Sequence, residues 1–435
     1  MNQKYDAIII GAGIIGGCIS YELAKAGYQT LTVDKLPAAG YGSTGASCAI
    51  VRAHYSTRDG VAMAYEGFFY WKEWEEYLDC QDESGFAKFR NTGSLLFKSQ
   101  GHDWRKVLKH YKDVGVEYEE WSLDRIKKRV PIYDTREHWP VRRPEDEAFW
   151  TEPTQDLEGA IYCPGGGYVS DPQLSCHNAM RAAEAKGGTY LFNAEVVAIR
   201  RTAEKVLGIT LKDGRQFDAP VVVNAAGPHS YLVNRMAGVE EGMKIKTRAL
   251  RHEVHHVPSP TGFNFEKDGL HTSDGDCGNY FRPEVGNMIL VGSEDPACDR
   301  QEWIADPDNF NRQITEAQYK AQVYRLAKRI PSLGIPDKKQ GVADLYDCSD
   351  DWIPIYDRSD LKGYYMAIGT SGNQYKNAPV VGAMMADLIQ KVEAGLDHDR
   401  NPIQYRLPHI GLTINVGFFS RLREINPESS FSVNG

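Results

Sequence analysis

The residues best equipped for chemistry stand at the start of the chain. Gly11-Ala12-Gly13-Ile14-Ile15-Gly16 has the spacing G-x-G-x-x-G, and Asp34 follows 18 residues after Gly16. Glycines so placed let a chain turn tightly and bring backbone N–H groups against a pyrophosphate at a helix N-terminus. An acidic side chain closing the next strand accepts hydrogen bonds from a ribose hydroxyl. A glycine triplet alone is a weak signal, but here the apolar run DAIII (6–10) precedes it. The helix-like stretch IGGCISYELAKAG and the strand-like TLTVDK follow it, which makes a βαβ unit. A dinucleotide is expected, and NAD and FAD both use such a unit. Two later segments favour FAD. VVVNAAGPHS (221–230) puts the small residues Ala225, Ala226 and Gly227 where a strand end passes a dinucleotide. GTSGNQYKNAP (369–379) brings Gly369 and Gly372 in just before a helix whose positive end can face a flavin oxygen. The histidines of RHEVHH (His252, His255, His256) are weaker candidates. Strand alternation sends His255 and His256 to opposite faces, so at most one of the two faces a site.

Behind these residues stand the elements that must position them. The chain has 435 residues, 42% hydrophobic and 25% charged, with 50 Lys+Arg against 59 Asp+Glu. That length and composition exclude a wholly disordered or collagen-like chain and allow two to three domains. A net charge of −9 without a Lys/Arg block gives no pull toward nucleic acid. The longest apolar runs are strand-sized, far short of the roughly 20 residues of a membrane span. No targeting segment is visible at the N-terminus. The eight cysteines are scattered without a C-x-x-C pair, so neither a disulfide framework nor a metal site is expected, and a reducing cytoplasm is.

The expected fold class is α/β: a discontinuous doubly wound dinucleotide domain interleaved with a substrate domain on an antiparallel sheet. Residues 1–90, 153–235 and 340–392 are assigned to the first, 91–152 and 236–339 to the second, and 393–435 to a C-terminal tail. AMAYEGFFYWKEWEEYL (62–78) reads as a helix whose aromatics pack in the core. Residues 98–150 read as a surface-facing insertion rather than sheet. A hairpin turns at Asp213-Gly214. The tail, with two phenylalanines and paired arginines, is expected to pack on the body or on another chain.

In order along the chain, GAGIIGG…VDK, GSTGASCAIVRAHY, GGGYVSDP, VVVNAAGP, YFRPE and GTSGNQYKNAP resemble the glycine/D-amino-acid oxidase superfamily of FAD enzymes. The similarity runs through roughly residues 5–392 and is greatest to sarcosine oxidases, their beta subunits and dimethylglycine dehydrogenase-like proteins. It implies oxidation of the C–N bond of a secondary or N-alkyl amino acid by hydride transfer to flavin N5, with hydrolysis of the imine by water. An oxidase is favoured over a dehydrogenase. A D- or cyclic amino acid as substrate, and a flavin electron-transfer subunit in a hetero-oligomer, are the alternatives. Homo-oligomers and a partner subunit are both compatible with it.

Residue by residue, the resemblance places Lys35, Ser43, Thr44, Ser47, Cys48, Ala49, Ile50 and Val197 on the cofactor beside the motifs above. It places Arg52 and Lys376 on the substrate carboxylate. The physics agrees, since an anionic substrate beside an apolar ring needs desolvated cations and arginine can fork both oxygens. Where these oxidases carry histidine after the serine-glycine pair, this chain has Asn373, which with Gln374 is expected to bond the flavin or line the substrate cavity. Tyr280, Phe281 and Arg282 resemble the segment on the substrate side. Non-covalent FAD is expected. The position of the family's cysteine linkage is Asp344, counted back from Tyr346, with Cys348 displaced, and that of the histidine linkage is Cys48. Lys267 is a loop candidate for oxygen activation.

Overall fold

Strand Ala7–Ile10 is buried along its whole length, as a continuous apolar run in a parallel sheet must be. The computed structural model describes residues 3–435. In it Ala7–Ile10 lies within a six-stranded sheet, ordered 189–191, 30–33, 7–10, 221–224, 364–368, 355–358. All pairs are parallel except the last. Helix Ile14–Lys25 covers one face, between Pro172–Ala185 and Ala378–Glu393. Small residues let these helices close up: a Cβ on Gly382 would lie 2.7 Å from the Cys18 backbone, and one on Gly17 3.2 Å from Ala179. The other face carries the hairpin strands 196–201, 206–211 and 216–218 with helix Ser230–Ala237.

A second, nine-stranded sheet runs 302–304, 247–258, 288–293, 279–284, 271–274, 94–97, 160–163, 119–121, with 341–349 paired to 247–258. Only the 94–97/271–274 pair is parallel. This pairing moves two expected boundaries. Strands Ala160–Cys163 and Gly341–Ser349 fall in segments assigned to the dinucleotide domain, yet they hydrogen-bond into the large sheet. Residues 98–150 are likewise not all outside the sheet, because Glu119–Trp121 forms its edge strand. Their polarity reflects an edge with one wet side.

The aromatic stretch is helical over Arg58–Lys72 and Trp74–Leu78. Thr57 caps the first helix, accepting from Gly60 N at 3.3 Å. Its rings pack inward, Trp71 stacking on Trp74 at 4.4 Å and on Tyr375 at 5.0 Å. The tail packs on the body of this chain. Arg421 bonds Asp357 and Asp399, Arg423 bonds Asp351, and Phe419 is buried.

Candidate active site

A cleft of about 530 Å³ opens at the carboxyl ends of the parallel strands and runs under the large sheet. Its floor is the glycine turn. Gly11 sits at φ +111°, where a Cβ would meet the Ala225 carbonyl oxygen at 2.3 Å. Gly16 serves packing, since its Cβ would fall 1.9 Å from the Gly11 oxygen, and it does not line the cleft. Asp34 lines the cleft with both oxygens anchored, accepting from Ala12 N and Leu36 N at 2.8 Å each. Burial raises its pKa against those two bonds. At the mouth, Lys35 bonds His229 and Asp308.

Gly11, Gly13, Ile14, Ile15, Ser43, Thr44, Ser47, Cys48, Ala49, Ile50, Ala225, Ala226 and Gly227 all line the same cleft, as do Gly372 and Asn373. Besides Gly16, two predicted cofactor residues do not. Val197 is 42% exposed, and its neighbour Val196 lines the cleft instead. The strand slips register between Val196 and Ala198, which turns Val197 outward. Gly369 stands at φ +67° and donates to Asp347 at 2.6 Å, behind the cleft.

At the inner end two cations lie over one aromatic ring. Arg52 Cζ is 4.8 Å and Lys376 Nζ 5.0 Å from the centre of the Tyr55 ring. Both are buried, 6% and 3% exposed, and among the described residues neither has a carboxylate partner. The Arg52 guanidinium donates to the His54 and Val433 carbonyls, the latter at 2.6 Å. Lys376 Nζ donates to Tyr55 Oη at 2.8 Å and to the Asn373 carbonyl at 2.6 Å. Burial, with Arg52 second, holds the Lys376 ammonium well below its usual pKa. The turn carrying Lys376 is seated on helix Arg58–Lys72, where Trp71 Nε1 donates to the Lys376 carbonyl at 2.9 Å.

The Gln374 amide oxygen accepts from Tyr356 and Asn377, and its nitrogen donates to Asn373. Among the described residues, the buried amide nitrogen of Asn373 has no partner. Tyr280 lines the cleft, its hydroxyl 3.3 Å from Cys48 Sγ. Arg282 does not line it. Its guanidinium donates to the Cys48 and Pro283 carbonyls and pairs with Glu284, tying the loop to the sheet. His255 is also a correction. It is fully buried and bonded to Gln322 at 2.8 Å, on the far side of its strand. His252, at the opposite parity, lines the cleft and stacks on Tyr346 at 4.1 Å. Lys267 is exposed on a short helix outside the cleft.

Sequence reasoning missed several lining residues. His271 bonds Ser94 at 2.8 Å through Nδ1 and leaves Nε2 buried without a partner among the described residues. Ser273 bonds His54 at 2.8 Å, and Glu294 pairs with His102 at 2.7 Å. Asp347, its pKa pushed up to about 7 by burial, keeps one oxygen unpartnered among the described residues. Val433 and Asn434 come from the tail.

The family described as FAD dependent oxidoreductase (DAO) matches residues 6–388. Among curated proteins, the chain is 24% identical to a glycine oxidase of Geobacillus kaustophilus over 415 residues, covering 91% of this chain and 96% of that one. It is 23% identical to a sarcosine oxidase subunit beta of Rhodobacter capsulatus over 393 residues, covering 89% and 86%. Among solved structures, the L-proline dehydrogenase of P. horikoshii is similar with a TM-score of 0.74 at 21% identity, covering 97% of this chain and 98% of that one.

Proposed function

The chain belongs to the DAO family of FAD-dependent oxidoreductases, and on that premise we propose that it oxidises the C–N bond of a small secondary or N-alkyl amino acid. The observation that supports this reading is the pair of buried cations without an anion, Arg52 and Lys376, at the inner end of the cleft. An unpaired buried charge is costly, and a bound carboxylate offsets that of Arg52 and favours the charged form of Lys376. The residues present fit FAD. The glycine turn brings backbone close to the Asp34 side chain, and the Asn373 amide nitrogen and one Asp347 oxygen are left buried without partners. Gly11, Gly13, Asp34, Thr44 and the Ala225–Gly227 turn would hold the dinucleotide, and Asn373 would face the ring end. FAD when bound supplies the two-electron acceptor.

The protein's own part is to bind and orient. Arg52 and Lys376 hold the carboxylate, and Tyr55 fixes the lysine through its hydroxyl. A free amine of pKa about 10 is mostly protonated at neutral pH. The two cations disfavour its ammonium form and so leave the nitrogen lone pair available. His271 is held neutral by burial and by Arg52, with Lys376 and Arg282 adding to it. In the tautomer that donates from Nδ1 to Ser94, its Nε2 is an acceptor for the amine N–H. The thiol of Cys48 faces Tyr280 and the position of the other linkage is the carboxyl of Asp344, so FAD is held without a covalent bond in this reading. A second reading, a flavin subunit in a larger assembly, is favoured by relatives named as sarcosine oxidase subunit beta. Anaerobic mixing with N-alkyl and cyclic amino acids tests the proposal by the bleaching of flavin absorption. Bleaching by members of that panel supports it, and an inert flavoprotein that bleaches only with a partner subunit supports the second reading.

A further inference from the structure

Residues 429–435 reach the inner end of the cleft, which Val433 and Asn434 line. Arg421 and Arg423 anchor the tail to Asp357, Asp399 and Asp351, and Ser429 Oγ donates to the Asp351 carbonyl at 2.6 Å. From there the segment crosses to the loop that carries Arg52. Ser430 N donates to Ser56 Oγ at 3.2 Å, Ser56 N donates to the Asn434 carbonyl at 3.0 Å, and Ser56 Oγ donates to the Gly435 carbonyl. Val433 is 5% exposed and packs with Leu250, Val254, Tyr280 and Trp352. Asn434 Nδ2 approaches His102 Nε2 at 3.2 Å, beside the His102–Glu294 pair.

We propose that residues 429–435 are part of the substrate site: the Val433 carbonyl sets the plane of the Arg52 guanidinium for a carboxylate, and Val433 and Asn434 wall the chamber. This rests on the reading of Arg52 given above. Two features separate positioning from competition. The acceptors on Arg52, the His54 and Val433 carbonyls, are neutral, so they fix the fork without cancelling its charge. The tail is also anchored elsewhere, so its place is set by the body and not by Arg52. A guanidinium oriented in advance loses less freedom when its anion arrives.

Benzoate and neutral benzamide, titrated against the FAD-loaded enzyme and followed by perturbation of flavin absorption, report the Arg52 charge without turnover. The variants are the full chain, residues 1–428, Arg52→Ala, and both changes together. The expected result is benzoate weakened about tenfold by truncation, benzamide unchanged within about twofold, and no further loss when Arg52 is already alanine. Tighter or unchanged benzoate on truncation overturns the proposal, as does an equal loss in the Arg52→Ala background, which marks a merely structural role. If the truncated chain does not fold, Ser56→Ala in the full chain decides. It removes both hydroxyl bonds to the tail, and weaker benzoate with unchanged benzamide supports the proposal while no change overturns it. Benzoate insensitive to Arg52→Ala alone refutes the clamp itself.

Discussion

Gly67→Ala tests whether the Lys376 turn is held where the chemistry needs it. A Cβ at position 67 would lie 2.4 Å from the Lys376 carbonyl oxygen and 3.2 Å from its carbon, whereas ordinary contact begins at 3.4 Å. About 1 Å must therefore open between helix Arg58–Lys72 and the turn. The helix cannot yield easily, because the neighbouring Glu66 is fully buried and accepts from His409 N and Ile410 N. The turn must move and take the ammonium with it. Overpacking of this kind costs about 1–3 kcal/mol of stability, and a 1 Å misplacement of a positioning group costs up to about a hundredfold. The assay is a thermal melt beside a benzoate titration of the FAD-loaded protein. Gly334→Ala, where nothing lies within 4 Å, is the control. The expected variant melts lower and binds benzoate more weakly, while the control does neither. A lower melting point with unchanged benzoate binding would refute the placing of Lys376 on the carboxylate. An unchanged melting point would refute the tight contact.

Three further outcomes follow. Lys376 is held well below its usual pKa by burial and by Arg52, and a carboxylate restores its charge. Anion binding therefore takes up a proton above the free-state pKa, and benzoate affinity falls there by up to about tenfold per pH unit; Lys376→Met should flatten that slope. Asp347 holds a proton up to about pH 7 in the folded chain, against a usual value of 3.8. Its burial thus opposes folding increasingly as pH rises from about 4 to 7, and the melting-point gain of Asp347→Asn over the parent should grow between pH 5 and pH 8. Acid precipitation should release yellow FAD into the supernatant; colour left in the pellet and lost in Cys48→Ser would show a thioether.

What could be read from the sequence was local. Gly11 to Asp34 announces a dinucleotide turn because strand, turn, helix and strand follow one another within thirty residues. Arg52 and Lys376 were visible through resemblance, since nothing near either one in sequence shows that they share the Tyr55 ring. Histidines on a strand divide by parity, but parity alone does not say which face is inside, and it is His252 rather than His255 that meets the cleft. Val197 was placed through resemblance and is one place off, where a register shift turns its side chain outward. Gly67 and Trp71 looked like ordinary core residues, and only the fold shows that they seat Lys376. Val433 lies 381 residues from Arg52, a separation no local pattern bridges.

The central claim is that the buried Arg52–Lys376 pair selects an amine bearing a carboxylate for oxidation. Its most direct test compares matched pairs, each an N-alkyl amino acid and the same amine without its carboxylate, mixed anaerobically with the FAD-loaded enzyme. A charged hydrogen bond contributes about 1.5–3 kcal/mol, so the account predicts flavin bleaching at ten- to a hundredfold lower concentration of the carboxylated partner, a difference reduced in Arg52→Ala and lost when Lys376→Met is added. Equal bleaching by both partners, or a preference that survives undiminished when both Arg52→Ala and Lys376→Met are present, would contradict it.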